Sequence, residues 1–323
     1  MQFNTQIEMK EFGFNTSAKA PGFEDGHNWM HYVTPRKKHY HFREMLVKPF
    51  MSWLYAPFGD SCLIVGPTGA GKSSLVEQVT ARLNWPCITV SAHSRLEMPE
   101  LTGYNLPVTD PVSGDLNTKF VDGPLTMAMR NGFVFTLDEY DALDPAVTVG
   151  LHAVMEGRPL VIAENNGEVI QPHPNFRFVA CGNTAGQGDM SGVHAGTMQQ
   201  NLATLDRFRV FEVMYLDPSD EEGSLVAALP MLDPSIAKNM VKVANSIRDQ
   251  HQGKGGNYLS VTLSTRTLLR WGRISCGYTH QGAANPLQTS LNESLLNRCD
   301  AVQKLAINKI AQSVFGDSWK VAV

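Results

Sequence analysis

The chain has 323 residues, 43 % hydrophobic and 18 % charged, with a net charge of −4 at pH 7. That length predicts about two domains at roughly 150 residues each. The balance is that of a globular protein, and the charge gives no electrostatic reason to expect nucleic acid as the main partner.

Residues 1–50 read as an N-terminal arm and linker helix. The first 35 or so residues are polar and broken by Gly13, Pro21, Gly22 and Gly26, which predicts irregular structure. The N-terminus lacks the basic start and apolar stretch of a signal peptide. His27, His31, His39 and His41 have no accompanying Cys or carboxylate at ligand spacing, and Arg36-Lys37-Lys38 reads as a solvated run. Over residues 40–55, Phe42, Met45, Leu46, Phe50, Trp53 and Leu54 follow a helical period, with Pro49 expected to kink or split the helix.

Residues 51–216 alternate strands and helices. Apolar runs at 62–65, 87–90, 133–137, 176–181 and 210–214 predict strands, and 74–83 predicts a helix. The pattern implies an α/β domain whose parallel sheet is flanked by helices. Residues 217–323 read as helices alone, a small all-helical lid. Ser219 to Glu222 and Ser290 to Glu293 match the capping-box pattern, the second ahead of a helix over 295–314. Asp233-Pro234 is an N-cap with proline at the first helical position, and Ser264 opens another helix. Cys62, Cys87, Cys181, Cys276 and Cys299 show neither zinc nor C-x-x-C spacing. No window reaches the ~18 uninterrupted apolar residues of a spanning helix. A cytoplasmic protein with reduced thiols and no membrane partner is expected.

Gly66-Pro67-Thr68-Gly69-Ala70-Gly71-Lys72-Ser73 is a complete G-x-x-x-x-G-K-S sequence between a strand and a helix, the context in which it cradles phosphates. Its amides and the helix N-terminus, Ser74 included, favour a triphosphate such as that of ATP. Lys72 supplies counter-charge to the β- and γ-phosphates, and Ser73 a ligand for Mg²⁺. Asp138, at the tip of an apolar strand, faces the crevice where such sheets bind ligands and would hold Mg²⁺. Glu139 beside it would orient the attacking water. Asn183 follows another apolar strand, where its amide could meet the γ-phosphate; the alternative is a turn-capping asparagine. Arg207 and Arg209 lie just before the last strand and could reach a neighbouring subunit's γ-phosphate. The alternative for Arg207 is a surface salt bridge with Asp206, worth under ~1 kcal/mol. Arg266, opening a helix of the second region, could reach the same phosphate; the alternative is a solvated arginine.

These segments resemble the AAA+ ATPases of the MoxR group and, within it, the small ATPase subunits of aerobic cobaltochelatases. The resemblance rests on Val76 to Cys87, Asp138-Glu139-Tyr140-Asp141-Ala142, Pro172 to Arg177, Asn183-Thr184 to Gly188-Asp189, and Gly196 to Gln200. It implies a P-loop AAA+ domain that hydrolyses ATP with Mg²⁺ in a homo-oligomeric ring, a hexamer. It also implies sensor 1 at Asn183, a finger arginine at Arg207 or Arg209, and sensor 2 at Arg266. Two hairpin inserts facing an axial channel are implied at 106–120, turning at Ser113-Gly114, and at 162–169, turning at Asn165-Asn166-Gly167. The partners implied are a von Willebrand A domain protein and a larger client or chelatase subunit. The process is then cobalt insertion during cobalamin synthesis, or general remodelling of another protein. A nucleotide-binding scaffold without turnover is opposed by Glu139, Asn183 and the arginines, and a nucleic-acid motor by the charge.

Overall fold

A computed structural model describes residues 2–109, 114–188, 196–254 and 258–319. They form two compact units, Met1–Lys37, Phe42–Gly66 and Lys72–Val213 on one side, and Lys38–His41, Pro67–Gly71 and Met214–Val323 on the other.

The first unit opens with an antiparallel pair, β1 (Thr5–Glu8) and β2 (Lys19–Gly22). Its remaining strands are β3 (Ser61–Val65), β4 (Cys87–Ser91), β5 (Gly103–Thr109), β6 (Leu116–Asp122), β7 (Val134–Asp138), β8 (Leu160–Ile162), β9 (Glu168–Ile170), β10 (Arg177–Gly182) and β11 (Phe208–Glu212). Five of them make one parallel sheet in the order β11-β3-β10-β7-β4. Position in the sheet follows from side-chain character. The central strands β3, β10 and β7 are nearly continuous apolar runs, buried on both faces. The edge strands β4 and β11 are only partly buried. Phe135, Leu137, Phe178 and Ala180 pack with Leu125, Met129 and Leu151 in the core of this unit.

The arm is only partly irregular, and it is packed: it contains β1, β2 and short 3-10 turns at Met9–Phe12 and Met30–Tyr32. Phe12, Phe14 and Phe23 are buried, and Phe3 packs edge-on against Trp85. Nor is the basic run merely solvated: Arg36 Nε donates to Ala81 O at 3.1 Å and its Nη2 to Asn84 Oδ1 at 2.8 Å, satisfying groups at the end of the helix Lys72–Arg82. The helix Glu44–Tyr55 runs unbroken through Pro49. It buries Val47, Phe50, Met51, Trp53 and Leu54 and leaves Met45 in solvent, so its apolar stripe differs from the expected one at the N-terminal end.

Both hairpins form. β5 pairs with β6 from Gly103↔Asp122 to Thr109↔Leu116, longer than 106–120; Ser113 of the expected turn lies outside the described residues. β8 pairs with β9, and the turn between them places Asn166 and Gly167 at φ 54 and 70, the left-handed conformations an Asn-Gly turn accepts.

The second unit is helical: Pro218–Ala228, Pro234–His251, Thr265–His280, Pro286–Ser294 and Ala301–Phe315. Met240, Val243, Ile247, Leu268, Trp271, Leu291 and Ile307 form its core. Asp233 and Ser264 cap their helices through Ser235 N and Thr267 N. Neither capping box forms. Pro218 and Pro286 take the first helical positions, which makes Asp217 and Asn285 the flanking residues. Ser219 and Ser290 therefore lie inside helices, and the Ser290 hydroxyl donates back to Pro286 O. The last helix starts at Ala301, capped by Asp300 through Gln303 N. Among the described residues no helix is long and apolar enough to cross a membrane.

Candidate active site

The glycine loop begins where β3 ends, and its backbone explains its glycines. At Gly66, φ is 149, and a Cβ would lie 2.1 Å from Val213 O. At Gly69, φ is 70, and a Cβ would meet the Ser264 side chain at 2.6 Å. A substituent at either position would displace the backbone from the path that aims its amides inward. The Thr68 carbonyl accepts from the Tyr215 hydroxyl at 2.9 Å, and Ala70 N–H turns back to Pro67 O at 3.2 Å.

After the loop, the helix Lys72–Arg82 points its first turn at the ends of three neighbouring strands, β3, β10 and β7. Lys72, 8 % exposed, donates through Nζ to Gly66 O and to Asn183 Oδ1, each at 2.8 Å. Burial lowers its pKa; the charges of Glu139, Asp138 and Asp141 work in the opposite direction. The Ser73 hydroxyl donates to Asp138 Oδ2 at 2.7 Å. Glu139 sits in the left-handed region at φ 55, a costly conformation for a residue with a side chain. It accepts from Asn183 Nδ2 at 3.3 Å. Lys72, Asn183 and Glu139 thus form a continuous hydrogen-bonded row beside the Ser73–Asp138 pair. Ser74 stands apart from that row: its hydroxyl accepts from Lys37 Nζ at 3.3 Å.

The arginines are not part of this cluster. Arg207 Nε lies 2.6 Å from Glu156 Oε1, and its Nη1 donates to Ala203 O. Its acidic partner is therefore Glu156, across the fold, rather than the adjacent Asp206. Arg209 lies within β11, not before it, and pairs with Asp60 at 3.4 Å. In the second unit the Arg266 Cβ lies 3.7 Å from where a Gly69 Cβ would be, so Arg266 flanks the glycine loop. Asp189, in one of the resemblance segments, lies outside the described residues.

Sequence reasoning missed four further residues, one in the first unit and three in the second. Asp141, buried behind Glu139, accepts hydrogen bonds from the Asn183 and Thr184 amides. In the second unit Arg248 and Glu221 form a buried pair, and the Arg248 guanidinium lies 4.1 Å over the Tyr215 ring whose hydroxyl holds Thr68. Only the Asp141 segment had a sequence signal, its place in the acidic motif after β7.

A hydroxyl beside a carboxylate is a pair of hard oxygen donors suited to Mg²⁺. A buried ammonium at a helix N-terminus beyond a left-handed glycine turn suits a triphosphate. The row from Lys72 to Glu139 can bring a general base and an amide to bear on one phosphate.

Comparison with known proteins agrees with that chemistry. Residues 61–208 match the AAA domain family of the dynein-related subfamily, and residues 222–314 match the CbbQ/NirQ/NorQ C-terminal family. The chain is 30 % identical to aerobic cobaltochelatase subunit CobS of Sinorhizobium sp, over 98 % of its own length and 92 % of that protein. It is 32 % identical to the denitrification regulatory protein NirQ of Stutzerimonas stutzeri, over 67 % of this chain and 72 % of NirQ. It is 30 % identical to NorQ of Paracoccus denitrificans, over 79 % and 86 %. Among solved structures, a mutant of Thermotoga maritima RuvB superposes with a TM-score of 0.50 over 83 % of this chain and 76 % of that one; at 15 % identity the likeness concerns the fold alone.

Proposed function

We propose, for a chain that belongs to the AAA+ ATPases of the MoxR-type family with CobS, CbbQ, NirQ and NorQ, Mg²⁺-dependent hydrolysis of ATP in a cytoplasmic homo-oligomeric ring, a hexamer, that remodels a partner complex. The observation that carries it is the hydrogen-bonded row Lys72–Asn183–Glu139 beside Ser73–Asp138, at the C-terminal ends of adjacent parallel strands.

Each residue then has a task. Lys72 exchanges Asn183 Oδ1 and Gly66 O for phosphate oxygens, and burial makes its charge count for more than in water. Ser73 and Asp138 would hold Mg²⁺, whose charge offsets that of the phosphates. Glu139 orients a water and accepts its proton, while the freed Asn183 amide hydrogen-bonds the terminal phosphate. Arg266, beside Gly69 of the glycine loop, is the candidate for the second sensor. Arg207 is the finger arginine: it leaves Glu156 to reach a neighbouring subunit's nucleotide. Arg209, tied to Asp60 within β11, is the weaker candidate. Tyr104, Leu106, Leu116, Val161 and Val169 are exposed on the two hairpins, which supports client contact there.

For the client, the likeness to CobS along nearly the whole chain supports service to a larger chelatase subunit and metal insertion into a corrin precursor. The match of residues 222–314 to the CbbQ/NirQ/NorQ C-terminal family favours a second reading, a general remodeller working with a von Willebrand A domain protein on another client. Native co-purification separates them: a very large chelatase subunit supports the first, and any other client the second.

Mixed rings test the catalytic reading. Lys72→Ala should lose ATP binding, and Arg207→Ala should bind ATP yet turn it over on the order of 10³-fold more slowly. Mixed together, each supplies what the other lacks, so activity should rise above either alone. A mixture as inactive as its parts means that Arg207 does not act between subunits; recovery with Arg209→Ala instead would transfer the role. Glu139→Gln should keep ATP binding and lose turnover, and parental turnover in that variant would remove Glu139 from the mechanism.

A further inference from the structure

Three acidic side chains follow one another at the end of β7, and two of them already have tasks. The third, Asp141, is engaged by the main chain at the end of β10. It lies in the short turn Tyr140–Ala142, is 1 % exposed, and forms no ion pair with any described Lys or Arg. Its carboxylate is instead filled by donors from the end of β10. Oδ2 accepts from the Asn183 amide and, at 3.0 Å, from the Thr184 amide. Oδ1 accepts from the Thr184 hydroxyl at 3.1 Å. Its own main-chain carbonyl accepts from Met198 N–H at 2.7 Å.

Two consecutive amides turned on one carboxylate make a concave donor site, and the carboxylate fixes the backbone that supplies them. The approach is so close that a Cβ on Gly182 would lie 2.6 Å from Asp141 Oδ1, which accounts for glycine there. The ladder between β10 and β3 ends at Gly182↔Val65, so Asn183 is the first residue without sheet pairing. Beyond the end of that ladder, Asp141 grips the Asn183 amide and, one residue later, the Thr184 amide.

We propose that Asp141 is a positioning residue for hydrolysis: by clamping the Asn183–Thr184 amides it fixes the backbone from which the Asn183 side chain reaches the terminal phosphate beside Glu139, without itself touching the nucleotide. This rests on the proposed role of Asn183 at the terminal phosphate. Asp141→Asn preserves shape but replaces one acceptor oxygen with an NH₂ group and removes the negative charge. The end of β10 shifts, the Asn183 amide moves with it, and the Lys72 loop is unaffected.

Steady-state ATPase kinetics with Mg²⁺-ATP on the full-length protein provide the test. Asp141→Asn should lower kcat on the order of 10- to 100-fold, the scale of a misplacement near 1 Å, with KM for ATP unchanged. Thr184→Val, which removes only the hydroxyl bond to Asp141 Oδ1 and keeps both amide bonds, should lower kcat less and in the same pattern. The double variant Asp141→Asn/Asn183→Ala should be no slower than Asn183→Ala, because both act through one group. If Asn183→Ala turns over at the parental rate, the catalytic reading itself fails. If Asn183→Ala is slow while Asp141→Asn keeps parental kcat, or if the two losses multiply in the double variant, the positioning role is overturned. Should Asp141→Asn not fold, Thr184→Val decides: lowered kcat at constant KM supports the role, and parental kcat overturns it.

Discussion

Asp141 in the first unit and Glu221 in the second are both 1 % exposed, and the protein accommodates the two buried charges by opposite means. Glu221 is matched by a full positive charge. Arg248 Nη1 and Nη2 donate to Oε2 and Oε1 at 2.6 and 2.8 Å, and the Thr265 hydroxyl adds a bond at 2.6 Å. Arg248 Nε meanwhile binds Leu263 O, so the pair ties the helices Pro218–Ala228 and Pro234–His251 to the segment before Thr265–His280. Among the described residues, Asp141 has only the dipoles of neutral donors. An ion pair is a strong joint between helices because its geometry is bidentate and its desolvated charges need each other. Amide dipoles leave the negative charge unneutralised, where it adds to Asp138 and Glu139 in the field at Lys72. The first arrangement suits a joint between helices; the second leaves a negative charge that favours the ammonium form of Lys72.

If that contrast is right, breaking the joint should cost the most stability. Arg248→Met strands a buried carboxylate and should lower unfolding free energy by about 3–5 kcal/mol, measured by urea denaturation. Replacing both partners, Glu221→Leu with Arg248→Met, should recover most of that loss. A single variant as stable as the parent would mean that Glu221 is reached by water. Asp141→Asn comes next, at about 1–3 kcal/mol, the scale of buried donors left poorly matched. A loss equal to that of Arg248→Met would erase the distinction between joint and clamp. Smallest is the effect on thiols, which costs no stability. Burial pushes the Cys62 and Cys181 thiols well up in the first unit, whereas Cys276 in the second is only partly buried. Timed alkylation of the native protein should label Cys276 first; early labelling of Cys62 or Cys181 would show the sheet opening.

The fold was legible where signals are short-range. Apolar runs closed by Gly66, Asp138 and Asn183 identify the three central strands because a strand buried on both faces needs continuous apolar sequence. The edge strand β11 begins at Phe208, two residues before the apolar run at 210–214, because its partial burial leaves no unbroken apolar run. The two false capping boxes show how local signals compete: each serine-to-glutamate pattern was real, but an upstream proline had already started the helix. The N-terminal arm misled in another way. Its phenylalanines are few and unperiodic, yet Phe12, Phe14 and Phe23 are buried against the body of the first unit.

The sequence by itself determined the phosphate loop, the strand–helix alternation, the Asn166-Gly167 hairpin turn and the identity of the residues that converge on Lys72. Each depends on neighbours in the chain: glycine where φ must be positive, apolar residues where both faces are covered, a carboxylate at the tip of a strand. Only the tertiary structure decided what those residues touch. Asp141 meets Asn183 across 42 positions, Arg248 meets Glu221 across 27, and Arg207 chooses Glu156 over the adjacent Asp206. No local pattern encodes such pairings, because a buried charge takes whichever partner the packed elements bring within hydrogen-bond reach.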